Sequence, residues 1–239
     1  MADQRFIHKE YFNLNVSRGV ERGAQNVHKF GAVPSMSNAT TGTIWDIDDT
    51  LYPWNAWTTP GPVTILAVDA SDNSKVVTLQ GLDENYELAS DNITVSSSGS
   101  SVGTQTFSRL FRGFVSSGSG TNAGDITVQI GGTTVLQINA DFGQTLMSVY
   151  TIPSGYTGYL TQLVCSTQTN HDATGNLFIR PFNGVFRISH SFEVSYDTYR
   201  YEFHIPLRIT EKSDIDFRVN NRTNNARITS AFDLLLIQE

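Results

Sequence analysis

The densest set of chemically competent side chains is Ile44-Trp-Asp46-Ile-Asp48-Asp49-Thr50-Leu51-Tyr52. Two carboxylates two residues apart, Asp46 and Asp48, can divide nucleophilic and acid/base work around a bound cation. Calcium held by the same carboxylates is a minor alternative. Either chemistry needs the group delivered by a rigid element, and the nucleophilic one needs an apolar strand in a parallel sheet with crossover helices behind it. Ala39-Thr-Thr-Gly-Thr-Ile-Trp45 has only two strongly apolar residues before Asp46, and no convincing helix of three turns follows. The other reactive residues do not assemble by spacing. Cys165 is the single cysteine, in a largely apolar run, so it excludes an intrachain disulfide and reads as a small core residue. His8, His28, His171, His190 and His204 show no paired metal-ligand spacing, so neither metal nor cofactor is expected.

The Asp-x-Asp-x-Thr-Leu order resembles the first motif of haloacid-dehalogenase-type phosphatases. The resemblance implies Asp46 as nucleophile, Asp48 as acid/base and a magnesium ion. Lys212-Ser-Asp214-Ile-Asp216 is a pseudo-match to the later motifs of that family, but it sits in a strand-like run. The motif therefore lacks its context, and a non-enzymatic protein is expected. Trp45, Tyr52, Trp54 and Trp57 crowd the same stretch. Such aromatics can stack on sugar rings, or can anchor the segment to the body or to a neighbour. Anchoring is the stronger expectation.

The elements that would position these residues are strands. From about residue 43, short alternating runs are separated by Gly, Pro, Asn and Ser turns, about a dozen in all. Asp125-Ile-Thr-Val-Gln-Ile130, Gly131-Gly132 and Thr133-Thr-Val-Leu-Gln-Ile-Asn139 predict a hairpin, because Gly-Gly supplies the positive φ of a tight turn. Arg180, Arg187, Arg200, Arg208 and Arg218 each fall inside a strand-like run and are expected on the solvent face or at a subunit contact. The pattern predicts an all-β protein, a jelly-roll-like β-sandwich over residues 43–239. Residues 1–42 have no sustained period and predict an extended N-terminal docking arm, carrying Arg5, Phe6, Tyr11, Phe12, Arg18, Arg22 and Phe30 as contacts.

Charge and composition narrow the partners. The 239 residues carry a formal net charge of −7, and only 16% are charged. That balance argues against nucleic acid, which needs a basic face. Residues 1–37 hold five Lys/Arg against three acids, so a mildly basic arm precedes an acidic body. No stretch approaches the length of a membrane span and MADQRFIHKE has no apolar leader, so folding in a cytoplasm is expected and a membrane is not.

Three stretches resemble virion structural proteins of tailed phages: Val77-Thr-Leu-Gln-Gly-Leu-Asp-Glu-Asn-Tyr86, Thr145-Leu-Met-Ser-Val-Tyr-Thr-Ile-Pro-Ser-Gly-Tyr-Thr-Gly-Tyr-Leu160 and Thr229-Ser-Ala-Phe-Asp-Leu-Leu-Leu236. The likeness spans roughly residues 60–239. It implies a particle component assembled in the host cytoplasm. The expected part is a capsid decoration (cement) protein, a homo-oligomer and by the habit of that group a trimer, docked on the major capsid protein or another virion protein. The alternative is a tail, neck or fibre protein that recognises host glycans. Trp45, Trp54 and Trp57 join the arm residues as expected partner contacts.

Overall fold

The structure, a computed structural model, describes residues 12–195 and 198–239. They contain sixteen strands: β1 (Ala24–Met36), β2 (Thr41–Thr43), β3 (Thr64–Ala67), β4 (Val76–Leu82), β5 (Leu88–Thr94), β6 (Ser100–Val102), β7 (Arg109–Val115), β8 (Ile126–Ile130), β9 (Thr133–Ile138), β10 (Val149–Thr151), β11 (Tyr156–Thr167), β12 (Asp172–Arg180), β13 (Arg187–Ser195), β14 (Thr198–Ile209), β15 (Asp214–Asn221) and β16 (Ala226–Gln238). Every described strand pair is antiparallel. The expected all-β class is what the chain adopts.

One sheet runs β1-β16-β11-β14 and a second runs β10-β15-β12-β13, with β2 added beside β15. Numbered among themselves in chain order, the eight strands β1 and β10 to β16 read 1-8-3-6 and 2-7-4-5. That is the strand order of a jelly roll. Its core holds Val33, Leu160, Leu163, Cys165 and Phe232 from the first sheet and Leu177, Ile215, Phe217 and Val219 from the second. Alternation explains the sorting: in β15, Ile215, Phe217 and Val219 lie two apart and are fully buried.

The jelly roll does not occupy residues 43–239 as one body. Between β1 and β10 the chain leaves to build a second sandwich, with β6-β3-β8-β9 on one side and β5-β4-β7 on the other. Ile65, Val128, Leu136 and Ile138 face Val77, Leu79, Ile93 and Leu110 in a separate apolar cluster. The two ends of this insertion meet, because the Ser148 N–H donates to the Ile44 carbonyl at 2.9 Å. Gly31 permits the junction: a Cβ there would lie 2.6 Å from the Ser148 nitrogen.

The expected docking arm is corrected by the same topology. Residues 24–36 are β1, a full strand of the jelly roll paired with β16 from Ala24↔Ile237 to Met36↔Ala226. Val33 and Met36 are fully buried. Pro34 sits where the register shifts, the place where a strand tolerates a missing N–H. Of the segment N-terminal to β1, residues 12–17 form a short helical stretch.

Candidate interaction surface

The carboxylates of the Asp46 motif are spent on backbone. Asp46 is 3% exposed, and both its oxygens accept from the Leu146 N–H, at 2.9 and 3.0 Å. Burial pushes its carboxyl up to about 8. Asp48 accepts from the Ser35 N–H at 2.8 Å and Asp49 from the Ser37 N–H at 2.7 Å. Asp48 and Asp49 tie the end of β1 to the start of the insertion, and Asp46 ties that start to the insertion's far end, so the three groups aim at separate backbone sites. The parallel sheet that a phosphatase motif requires is missing among the described strands. The described residues also hold no cluster of three or more His, Cys, Asp or Glu placed to hold a metal ion.

The tryptophans form no platform. Trp45, Trp54 and Trp57 are all buried. Tyr52 stacks edge-on against Trp45 and Trp54, at centroid distances of 5.2 and 4.7 Å. Each indole N–H is taken internally: Trp45 by the Thr50 hydroxyl at 3.0 Å, Trp54 by the Asp216 carboxylate at 2.8 Å, and Trp57 by the Tyr52 hydroxyl at 3.0 Å. This corrects their reading as partner contacts and as a sugar-stacking face. They pack the second sandwich against the first, which is the anchoring role.

Beside them lies a chain of buried charges. Asp214 accepts from Arg109 Nε and Arg180 Nε at 2.8 Å each, and from the Thr151 hydroxyl at 2.7 Å. Asp216 accepts from Thr43, Trp54 and Arg218. Burial raises the Asp216 carboxyl, and Arg218 offsets part of that rise. Arg180 and Arg218 therefore turn inward to carboxylates, with their guanidinium carbons 4.6 and 4.8 Å from the Phe186 ring centroid. Only Arg187, Arg200 and Arg208 of the five strand arginines lie on the exposed surface.

Exposed apolar side chains stand on both β13 and β14: Ile188 on β13, and Tyr201 and Ile205 on β14, with Ile205 81% exposed. Val185 and Phe182 are exposed in the connection that leads into β13, where Phe182 lies edge-on to Tyr86 at 5.6 Å. β13 and β14 are the outer members of the two jelly-roll sheets, so each has a free backbone edge among the described residues. β14 also bulges. Leu160 pairs with Leu207 and Gln162 with Glu202, so one residue of β11 spans four of β14, Phe203 to Pro206. The bulge carries Ile205 away from the sheet. Between the two edges His190, Phe192, Tyr199, Tyr201 and Phe203 form an aromatic ladder. Phe192 stacks on Tyr199 at 4.0 Å, and His190 lies 4.6 Å from Tyr201. The His190 Nε2 and the Tyr199 hydroxyl are 2.9 Å apart.

Of the expected arm contacts, Arg5, Phe6 and Tyr11 lie outside the described residues. Phe12 is half-buried in the helical stretch, Arg18 and Arg22 are exposed, and Phe30 is exposed on β1. They do not converge with the tryptophans. The β13–β14 surface was missed although Tyr199-Arg-Tyr-Glu-Phe-His-Ile205 shows perfect alternation. Alternation marks one apolar face, and it does not say whether that face meets a core or a partner.

No protein-family model and no curated protein sequence matches the chain. Among solved structures it is similar to the infectious bursal disease virus Gt strain, at 8% identity and a TM-score of 0.24, over 91% of this chain and 73% of that chain. The Gx strain gives 9% and 0.26, over 90% and 72%. The VP2 subviral particle of that virus gives 9% and 0.22, over 75% and 72%. Scores of this size fall below a shared fold, so the likeness assigns neither partner nor place.

Proposed function

We propose that this chain is a non-catalytic structural component of a phage particle, a capsid decoration protein that acts through contacts with copies of itself. The observation that carries the reading is the exposed apolar strip on β13 and β14, set on two free strand edges. Exposed apolar side chains beside two free strand edges invite a partner, because free edges invite pairing. The occupant is a second copy of this chain. β14 lies along β11 from Gly158 to Ser166 despite its bulge, and an edge of that length, roughly 30 Å at 3.3 Å per residue, can seed the about 800 Å² per partner that a stable interface buries. A closed homotrimer seats this edge on a different face of the neighbouring copy. Two further supports are fold-level analogy and phrase resemblance: jelly rolls recur in capsid proteins, and the stretches around Tyr86, Pro153 and Phe232 resemble phage virion proteins. The docked oligomer stabilises the head shell through contact with the major capsid protein, and reaches the virion after assembly in the host cytoplasm.

The test is the Ile205→Asp variant in sedimentation. The unaltered chain is expected to sediment as an oligomer and the variant as a folded monomer. A monomeric unaltered chain, or a variant that still assembles, overturns the interface. Antibody labelling of intact virions then tests the place on the particle, with even decoration of the head as the expected result.

A further inference from the structure

The cleft between the two sandwiches is unlike the rest of the molecule. It has a volume of about 500 Å³, with walls from β1, β4, β5 and β7 and the segment before β10. That lies within the roughly 300–1,000 Å³ of ligand clefts, which favour junctions between bodies of this kind. The chain has 23 acidic residues, yet none of the described residues lining this cleft is Asp or Glu. Two basic side chains line it. Lys29 is 8% exposed, and its Nζ donates to the Phe111 carbonyl. Arg112 is exposed, lies 5.0 Å over the Phe114 ring, and has no carboxylate partner among the described residues. Around them stand the amides of Gln80 and Gln144, which make no side-chain hydrogen bond among the described residues, and the apolar rims Phe30 and Leu88.

We infer that this cleft is a binding site for an acidic sugar, with the carboxylate seated between Lys29 and Arg112. Arg112 without a carboxylate partner, beside a buried Lys29 amine that an anion would keep protonated, calls for an anion, and free amides next to an exposed aromatic ring suit hydroxyls and the apolar face of a sugar ring. The electrostatics of the cleft agree. Burial first, then repulsion from Arg112, bring Lys29 down to about 7, while the buried Asp46 behind it pulls the other way. His28 on the same strand is engaged with Asp233, 2.5 Å away. An anion between Lys29 and Arg112 restores the proton to Lys29, so binding takes up protons at mildly alkaline pH. This inference stands apart from the particle reading and does not need it.

The test is calorimetric titration of the full chain with sodium glucuronate, against methyl glucoside as the neutral sugar and acetate as the bare anion. Glucuronate is expected to bind about tenfold or more tightly than either control, a gap of ~1.4 kcal/mol or more. Repeating the titration in two buffers of different ionisation heat is expected to show proton uptake. Arg112→Gln, at an exposed position with no carboxylate partner among the described residues, is expected to keep the fold by circular dichroism and to weaken glucuronate about tenfold. Glucoside or acetate binding as tightly as glucuronate overturns the assignment, as does unchanged binding by Arg112→Gln or the absence of any binding heat.

Discussion

At the scale of single residues, the buried Asp46 and Lys29 set a pH response. Asp46 holds its proton in the fold up to about 8, whereas in the unfolded chain it releases it near an ordinary carboxylate value of about 4. The native state therefore binds more protons than the unfolded state between those limits, and stability falls as pH rises through them. Lys29 works in the opposite sense and higher up. It loses its proton near 7 in the fold and near about 10.4 when unfolded, so stability recovers as pH rises across that window. Denaturant midpoints are expected to be lowest near pH 7 to 8, where the two windows meet. Asp46→Asn keeps an acceptor for the Leu146 N–H and removes the titration, so its midpoint should change much less between pH 5 and 7. An equal fall in the variant would show that Asp46 is already ionised in the fold. The sequence displayed these carboxylates but not their use, because spacing reports which groups are near and not which backbone N–H they meet. Burial also decided the fate of the tryptophans and of Arg180 and Arg218, and it follows from which sheets close over them.

At the scale of elements, strand existence was legible and strand partnership was not. The Gly131-Gly132 hairpin forms as expected, with φ of 55° and 81°. The Pro153-Ser-Gly155 turn is of the same local kind, with Gly155 at φ 73°. These are local rules of turn chemistry. β1 escaped notice because Gly31, Pro34 and an inward Lys29 interrupt its alternation, and each has a reason only in the assembled fold. The inserted sandwich escaped notice because its strands alternate like those of the jelly roll. The outer edge offers a test at this scale. Gly175 pairs with Phe192, whose ring would lie 2.3 Å from a Cβ at that position. Gly175→Ala must displace the ring that stacks on Tyr199, joining β13 to β14. Overpacking of this kind costs about 1–3 kcal/mol. The variant is expected to unfold at lower denaturant and to self-associate more weakly. Unchanged association despite lost stability would separate the aromatic ladder from the interface.

At the scale of the molecule, the question is whether two sandwiches behave as one cooperative body. Their apolar clusters are separate, but the contacts across the junction are strong and buried. Leu82 and Phe111, from strands of the second sandwich, pack in the jelly-roll core. Arg109 of β7 reaches Asp214 of β15, and the Trp54 indole reaches Asp216. Breaking a buried ion pair on one side leaves a charge without a partner, at a cost of about 3–5 kcal/mol, so the junction penalises partial unfolding. The probes for a test are already in place. All three tryptophans lie in the cluster of the second sandwich, at its seam with the first, so their fluorescence reports that body and the junction, while far-ultraviolet circular dichroism reports strands of both. In urea the two signals are expected to share one midpoint, the sign of a single transition. Asp214→Ala strips Arg109 and Arg180 of their shared carboxylate and should lower stability by that about 3–5 kcal/mol. It should also pull the two midpoints apart, with the tryptophan signal leading the far-ultraviolet signal. If both signals shift together in the variant, the ion pairs stabilise the body without coupling its halves, and cooperativity rests on the apolar contacts of Leu82 and Phe111.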